Sequence, residues 1–423
     1  MFTPRGSFFY AFICQKTTMK RFYLIFALGL MVAAGCERLD TPFGRGTAGG
    51  RSGRDSGLEQ KDSTAGNAPD TVCFAAVVKV PDGYDWMRDT LAGLFSGELL
   101  FYRGGNPCLS IPLDGSVPVS PDPGTHHIIR GHLYTECCSG GSLHILRDGV
   151  PLLHLPGDGF LKGLLQVADG SLWTLVCTPA DGGLTLRRNG ETVIRIARGS
   201  AVGGLGEGHS ALYEDDGHVC FSYTEGDSFF AVKDGGISPI KPPEEGAYVD
   251  DFLWRDGEAL TLYKKNDVCY LHRNGISTAA INSRSHCTFV ETGGGLYVFG
   301  RSNYISRNLY FSWNAESSEV LYFYGTEPWL HSSEAGLFTV QGSSPLRVSG
   351  WAKAPLQQIP HTDREGMMVF SDECVASIGR DAYLGASVPG GRPLLIRGSR
   401  AVGEFPFDGY ITTVDVEITA PNL

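Results

Sequence analysis

Several features that would assign a fold or an activity are missing from this sequence of 423 residues. No convincing helical periodicity follows residue 70, which excludes a helical body. No two cysteines have Cys-x-x-Cys spacing, which argues against zinc-ribbon and thioredoxin-type domains. The patterns Gly-x-Ser-x-Gly, the P-loop and Gly-x-Gly-x-x-Gly in a βαβ context are also missing. No common hydrolase, nucleotide-binding or dinucleotide-binding class therefore has sequence support.

Positive charge is scarce in the body of the chain. The formal net charge is −11, and from Cys36 onward 31 Lys and Arg residues face 46 Asp and Glu residues. A nucleic-acid binder needs a basic stripe, and docking on anionic lipid by charge needs a basic patch. The acidic body argues against both, so we expect no nucleic-acid partner.

Glycine, in contrast, is abundant and falls at turns. The chain has 56 glycines, and residues 143–155 place Asp148-Gly149 between two apolar runs. This is the pattern of a β-hairpin with a type I′ turn. It recurs at Asn189-Gly190, Asp234-Gly235 and Asn274-Gly275, with gaps of 41, 45 and 40 residues. A repeat of this length with β content predicts a β-propeller.

The repeat can be extended into whole blades. Residues 160–199 contain four short apolar runs separated by turn residues, which predicts one four-stranded antiparallel blade. Similar units are 125–156, 210–241, 247–281 and 286–324, and weaker ones are 328–359 and 366–397. Near the start, 98–103 and 108–113 resemble the third and fourth strands of a blade, and residues after 398 resemble the first and second. We therefore expect an all-β propeller over 72–423, closed by its C-terminal strands. Eight blades are favoured, with seven as the alternative.

The propeller geometry predicts where binding residues lie. Tight Asp-Gly and Asn-Gly turns occupy one face, and longer, varied connections such as 241–246 and 360–365 occupy the other. Ligand-binding residues tend to lie on such loops. A candidate sugar site combines Trp329 and Glu327 with the loop that contains His361, Asp363 and Arg364. The alternative is that Trp329 packs beneath its own loop.

Asp250 and Asp251 form a second candidate. They lie in an inner-strand pattern, and alternation predicts that one of them faces the central channel. Such a carboxylate could be catalytic or could simply be solvated, and no motif places a second acid opposite.

Cysteine and histidine give no metal motif. Nine cysteines lie beyond Cys36, mostly in apolar strand text. They are interpreted either as buried thiols or as including one or two disulfides. Five histidines between residues 126 and 154 lack metal-ligand spacing. We therefore expect neither a metal nor a cofactor.

The N-terminal region predicts a cellular location. Met19 to Cys36 reads MKRFYLIFALGLMVAAGC, with Lys20-Arg21 before an apolar run. This resembles a bacterial lipoprotein signal peptide with its lipobox, although Ala33 stands where leucine is usual. The resemblance implies cleavage before Cys36, lipidation of Cys36 and a start at Met19, so that 1–35 is the signal peptide region. Residues 36–71 are then the lipidated cysteine and a flexible tether.

Anchor, tether and propeller together predict a binding or scaffold module of the cell envelope. We expect it to be held on the outer membrane of a Gram-negative bacterium by its lipid and to bind a protein or a glycan. The alternative is a glycan-active hydrolase or lyase that uses channel carboxylates such as Asp250 or Asp251.

Overall fold

The computed structural model describes residues 70–419 except 83, 85–96, 158, 180–181, 203–210, 293–294, 302–308, 316–319, 325–328, 334–335, 342–346, 352–371, 379–380, 388–390 and 398–399. Within these residues the chain forms β-strands and two short 3-10 helices, Pro123–Thr125 and Asp372–Cys374. None of the helices in the described part of the chain is long and apolar enough to cross a membrane.

The first sixteen strands lie between residues 70 and 240. They are β1 Asp70–Lys79, β2 Glu98–Arg103, β3 Asn106–Pro112, β4 His126–Ile129, β5 His132–Ser139, β6 Ser142–Arg147, β7 Val150–Pro156, β8 Phe160–Gln166, β9 Leu172–Thr178, β10 Gly183–Arg188, β11 Glu191–Ile196, β12 Ser200–Val202, β13 Tyr213–Asp215, β14 His218–Glu225, β15 Ser228–Lys233 and β16 Gly236–Ile240.

The remaining strands continue the same pattern. They are β17 Tyr248–Arg255, β18 Glu258–Lys265, β19 Val268–Arg273, β20 Ile276–Asn282, β21 Thr288–Thr292, β22 Gly295–Arg301, β23 Leu309–Asn314, β24 Val320–Tyr324, β25 Trp329–Ser333, β26 Gly336–Gln341, β27 Arg347–Trp351, β28 Val375–Ile378, β29 Asp381–Ala386, β30 Leu394–Arg397, β31 Arg400–Glu404 and β32 Gly409–Thr419.

The described strands form eight antiparallel sheets, which we number as blades 1 to 8 in chain order. Blade 1 has the order β3-β2-β1-β32, and blade 5 has the order β17-β18-β19-β20. The first strands of neighbouring blades contact one another, from β17 to β21 and onward through β28 and β32 to β4. The molecule is therefore a β-propeller with its first strands innermost, as predicted. The described part of blade 7 contributes three strands.

The four repeated turns have the predicted conformation. Asp148, Asn189, Asp234 and Asn274 have φ of 48–51°, and the glycine that follows each of them has φ of 75–86°. Positive φ at both central residues defines type I′ turns. In each of these four blades, the Oδ1 atom of the Asp or Asn also accepts a hydrogen bond from a backbone N–H at the start of the second strand, at 2.9–3.0 Å. The turn residue thus joins three strands, which explains why Asp or Asn recurs there.

Closure uses one C-terminal strand rather than two. β32 pairs with β1 along its length, from Asp70 opposite Thr419 to Lys79 opposite Gly409. The other predicted closing segment contains β31, which is the fourth strand of blade 8. The missing second strand of blade 1 is β1, and Phe74 to Val78 within it are at most 2% exposed. Its nearly continuous run of apolar residues suits a central strand that is covered on both faces.

Blade 4 has an interrupted innermost strand. β12 and β13 both pair with β14, at Ser200–Val202 and Tyr213–Asp215 respectively. The unit predicted for this blade, 210–241, left out β12, so the blade begins earlier in the chain than predicted. The apolar core lies between neighbouring sheets: Leu262 and Leu271 of blade 5 pack in one cluster with Phe289 and Val298 of blade 6.

Candidate functional site

The predicted sugar site lies largely outside the described residues. This applies to Glu327, His361, Asp363 and Arg364, and also to the lipidation candidate Cys36. Trp329 begins β25, where its backbone pairs with Val340. These five residues and the side chain of Trp329 thus remain predictions.

Asp250 and Asp251 are both buried, so neither is the solvent-accessible channel carboxylate that the sequence suggested. A β-bulge in β17 leaves Asp250 without a partner, since Val249 pairs with Tyr263 and Asp251 pairs with Leu262. Asp250 is 7% exposed and Asp251 is 3% exposed. The extra residue turns both carboxylates toward blade 6, which a regular strand could not do.

The two carboxylates join blade 5 to blade 6 through hydrogen bonds. Asp251 Oδ2 accepts from the Phe289 N–H and from the Thr288 hydroxyl, both at 2.8 Å. Asp250 Oδ2 accepts from the Cys287 N–H at 2.9 Å. Burial raises the pKa of Asp251 to about 6 and also raises the pKa of Asp250. The enzymatic alternative required an accessible carboxylate here, and this geometry does not supply one.

A pocket of 390 Å³ adjoins the connection between β16 and β17, which belongs to the predicted set of varied loops. We call it the tyrosine pocket; it is lined by Pro243, Glu244, Ala247, Tyr263, Tyr270, His272 and Ser277. The Tyr263 hydroxyl donates to the Lys241 carbonyl at 3.1 Å, and Glu244 pairs with Lys265 at 2.8 Å. These contacts fix the loop against blade 5.

The hairpin β18–β19 positions the polar and aromatic groups of the tyrosine pocket. Its turn, Asn266-Asp267, has positive φ at both residues, so the strands pair in tight register. Tyr263 stands opposite Tyr270. Two residues further along β19, alternation returns His272 to the same face. Two phenol rings and one imidazole therefore share the wall.

His272 is the group in the tyrosine pocket that most needs a partner. It is 8% exposed, and the edge-to-face contact with Tyr263 has a ring-centroid distance of 4.7 Å. Among the described residues its Nδ1 is buried with no hydrogen-bond partner. Buried polar atoms in native proteins are nearly always satisfied, by protein, water or ligand. A polar ligand with an apolar face would meet both the imidazole and the rings.

A second polar cluster links blade 2 to the 3-10 helix that precedes blade 8. His127 Nδ1 lies 2.9 Å from Glu373 Oε1. Burial would lower the pKa of His127, but the charge of Glu373 outweighs it and the pKa rises to about 9. Burial raises the pKa of the nearby Glu136 to about 7 and lowers that of His126 to about 4. The sequence interpretation treated these histidines as ordinary strand residues, whereas His126 and His127 are part of a buried charge cluster.

One group of metal-ligand type emerges within the described residues: Asp250, Cys269 and Cys287, whose donor atoms lie within 4.8 Å of one another. Sequence reasoning missed this group because the three residues come from different strands. It also missed His272 and its neighbours, although the alternation Tyr270-x-His272 was a usable signal.

The cysteines of the described chain, from Cys73 to Cys374, are not joined in disulfides. Cys220, Cys269, Cys287 and Cys374 are fully buried. This agrees with the buried-thiol interpretation for those four, and the alternative of one or two disulfides does not occur among the described cysteines.

Comparison with known proteins adds the following. No protein-family profile matches the chain, and no curated protein matches it. Among solved structures, BamB from Moraxella catarrhalis is 9% identical, with a TM-score of 0.44 over 69% of this chain and 90% of its own. The WD40 domain of SCAP from fission yeast is also 9% identical, with a TM-score of 0.44 over 72% of this chain and 92% of its own. Likeness at this level transfers no function to the chain.

Proposed function

We propose that the chain is a lipid-anchored β-propeller of the bacterial cell envelope that binds a saccharide in the tyrosine pocket. The observation that carries the proposal is the lining of the pocket, where the imidazole of His272 stands beside the rings of Tyr263 and Tyr270. Sugars present an apolar face together with a rim of hydroxyls. Aromatic side chains can cover that face while a polar tip accepts or donates a hydrogen bond. Small-ligand sites commonly combine such rings with a few convergent polar groups.

The anchor is supported by the sequence alone. Lys20-Arg21, the apolar run after them and Gly35-Cys36 have the order of a lipoprotein signal. The polar, glycine-rich residues 37–71 would hold the propeller about 30–35 Å from the lipid if they behave as a coil. The outer membrane of a Gram-negative bacterium is the location that we propose.

The anchor is tested by processing in the native host. Replacing Cys36→Ala should abolish lipidation and release the chain from membranes, and globomycin should cause the unchanged chain to accumulate as precursor. Cys108→Ala is the matched control, because Cys108 is an exposed cysteine of the propeller body, far along the chain from the signal-like segment. Unaltered processing and fractionation after both treatments would refute the anchor.

The ligand is tested with the purified full chain and a panel of envelope-derived oligosaccharides, by calorimetry. His272→Phe and Tyr270→Ala should each weaken binding roughly tenfold, the loss that corresponds to about 1.4 kcal/mol. Tyr248→Ala is the control, because Tyr248 is 43% exposed and lies outside the pocket. Binding to no saccharide, or equal losses in all three variants, would contradict the proposal.

A further inference from the structure

Three potential metal ligands converge where blade 5 meets blade 6. Asp250 belongs to β17 and Cys269 to β19, and Cys287 immediately precedes β21. All three are buried, and one donor atom of each lies within 4.8 Å of the other two. In a tetrahedral zinc site, metal–ligand distances of 2.0–2.3 Å set donor atoms roughly 3.3–3.8 Å apart. Small side-chain rotations would therefore bring this group to coordinating distance.

A fourth donor lies next to the group. His286 precedes Cys287 in the chain, and its Nδ1 is 2.7 Å from Asp250 Oδ1. Its side chain is 79% exposed, so the ring has room to adjust. The other oxygen of Asp250 accepts from the Cys287 N–H, a contact that orients the carboxylate.

The surrounding charge suits a divalent cation. Lys264 is 4% exposed, and its ammonium donates to the Ser285 carbonyl at 2.6 Å. Its charge is close enough to act on both Asp250 and Cys269. When the two cysteines bind as thiolates, they and the Asp250 carboxylate carry three negative charges, which a divalent cation and the Lys264 ammonium balance. This avoids the cost of an uncompensated buried charge.

We propose that Asp250, Cys269, Cys287 and His286 form a Zn²⁺ site that staples blade 5 to blade 6. Among the common metals, thiolate and imidazole ligands favour Zn²⁺, copper and iron. Binding releases two thiol protons to solvent and involves no redox step. Because the four residues come from two blades, the ion would hold the propeller together in the way that structural zinc stabilises small domains.

The test uses the full chain, purified under reducing conditions without chelator. Elemental analysis should find about one zinc ion per chain, as a closed structural site requires. Replacing zinc with Co²⁺ should give sulfur-to-cobalt charge-transfer absorption, a measurement that needs no variant. Cys269→Ser and Cys287→Ser should lower metal affinity by at least about tenfold, the loss seen when even an outer-shell partner is removed.

Cys220→Ser is the matched control, because Cys220 is equally buried but lies in blade 4. It should retain the metal and the cobalt spectrum. His286→Ala should weaken binding while the thiolate bands remain, and unchanged affinity would overturn the assignment of His286. Absence of metal uptake, cobalt binding without thiolate bands, or a Cys269–Cys287 disulfide in the native chain would each overturn the site.

Discussion

The contact between Asp251 and blade 6 gives a prediction whose magnitude follows from the structure. Asp251→Ala removes the acceptor for the N–H groups of Phe252 and Phe289 and for the Thr288 hydroxyl. A buried donor that loses its partner costs about 1–3 kcal/mol. The hydroxyl can rotate to another acceptor, so two amides carry the loss. We expect the free energy of unfolding to fall by about 2–6 kcal/mol, since each of the two orphaned amides contributes about 1–3 kcal/mol.

This loss can be read from a thermal melt. An unfolding entropy of about 2.1 cal/mol/K per residue over about 350 residues gives a decrease in Tm of about 3–8 °C. Asp251→Asn retains one acceptor oxygen, and its decrease should be smaller. Circular dichroism of the full chain measures both variants.

The control for Asp251 is Asp256→Asn. The Asp256 side chain is 92% exposed, and its φ of 54° is one that asparagine adopts readily. Its stability should change by less than about 0.5 kcal/mol. If Asp251→Ala and this control have the same Tm, the hydrogen bonds between the blades do not stabilise the ring and our reasoning is refuted. Loss of a catalytic turnover without loss of stability would instead return Asp251 to an active site.

Three further predictions concern the pH response, the turns and the closure. His127 has a pKa of about 9, above its ordinary 6.5. The stability that protonated His127 contributes is therefore complete below pH 6.5 and is lost as the pH rises to 9. After a discount for the 19% exposure of its side chain, the contribution is about 2 kcal/mol. Glu373→Gln should flatten that slope in melts across pH, whereas Glu98→Gln, in an exposed pair with Lys79, should not. Asn189→Ala should lower stability by about 2–3 kcal/mol through the lost cap and the positive φ. Asn189→Asp should be nearly neutral, because Asp148 and Asp234 occupy the equivalent position, and equal melts of the two Asn189 variants would contradict this. Gly409→Ala should weaken the pairing of β32 with β1, since a Cβ there would lie 2.1 Å from the Val78 carbonyl oxygen. Gly403→Ala is the control, because its Cβ would make only an ordinary contact at 3.8 Å. Equal protease resistance of the two variants would show that the close approach at Gly409 does not matter for ring closure.

The repeat made the scaffold predictable from sequence. A type I′ turn restricts its central residues to a few types, so Asp-Gly and Asn-Gly mark the same position in successive blades. A cation precedes each of the four repeated turns, namely Arg147, Arg188, Lys233 or Arg273. Two of them stand over an aromatic ring of the second strand of their own blade: Arg147 over Tyr134 and Arg188 over Trp173. They are part of the blade rather than merely solvated strand ends.

The errors have local physical causes. The bulge in β17 is one extra residue without a sequence marker, and it reverses the alternation on which the orientation of Asp250 and Asp251 was based. β1 could not be placed, because its partner β32 lies more than three hundred residues away in the chain. The group of Asp250, Cys269 and Cys287 forms only when two blades pack, so no spacing along the chain could have predicted it.

Strand β19 carries residues of both the tyrosine pocket and the proposed zinc site. Its residues alternate in direction, so Tyr270 and His272 line the tyrosine pocket while Cys269 and Leu271 pack toward blade 6. A metal ion bound to Cys269 would hold this strand on the face that packs toward blade 6, and a ligand in the pocket would contact its opposite face. Both sites thus depend on the position of the same strand, so binding at one should favour binding at the other. Because such coupling is reciprocal, removing zinc should weaken saccharide binding by the same factor by which the saccharide strengthens zinc binding.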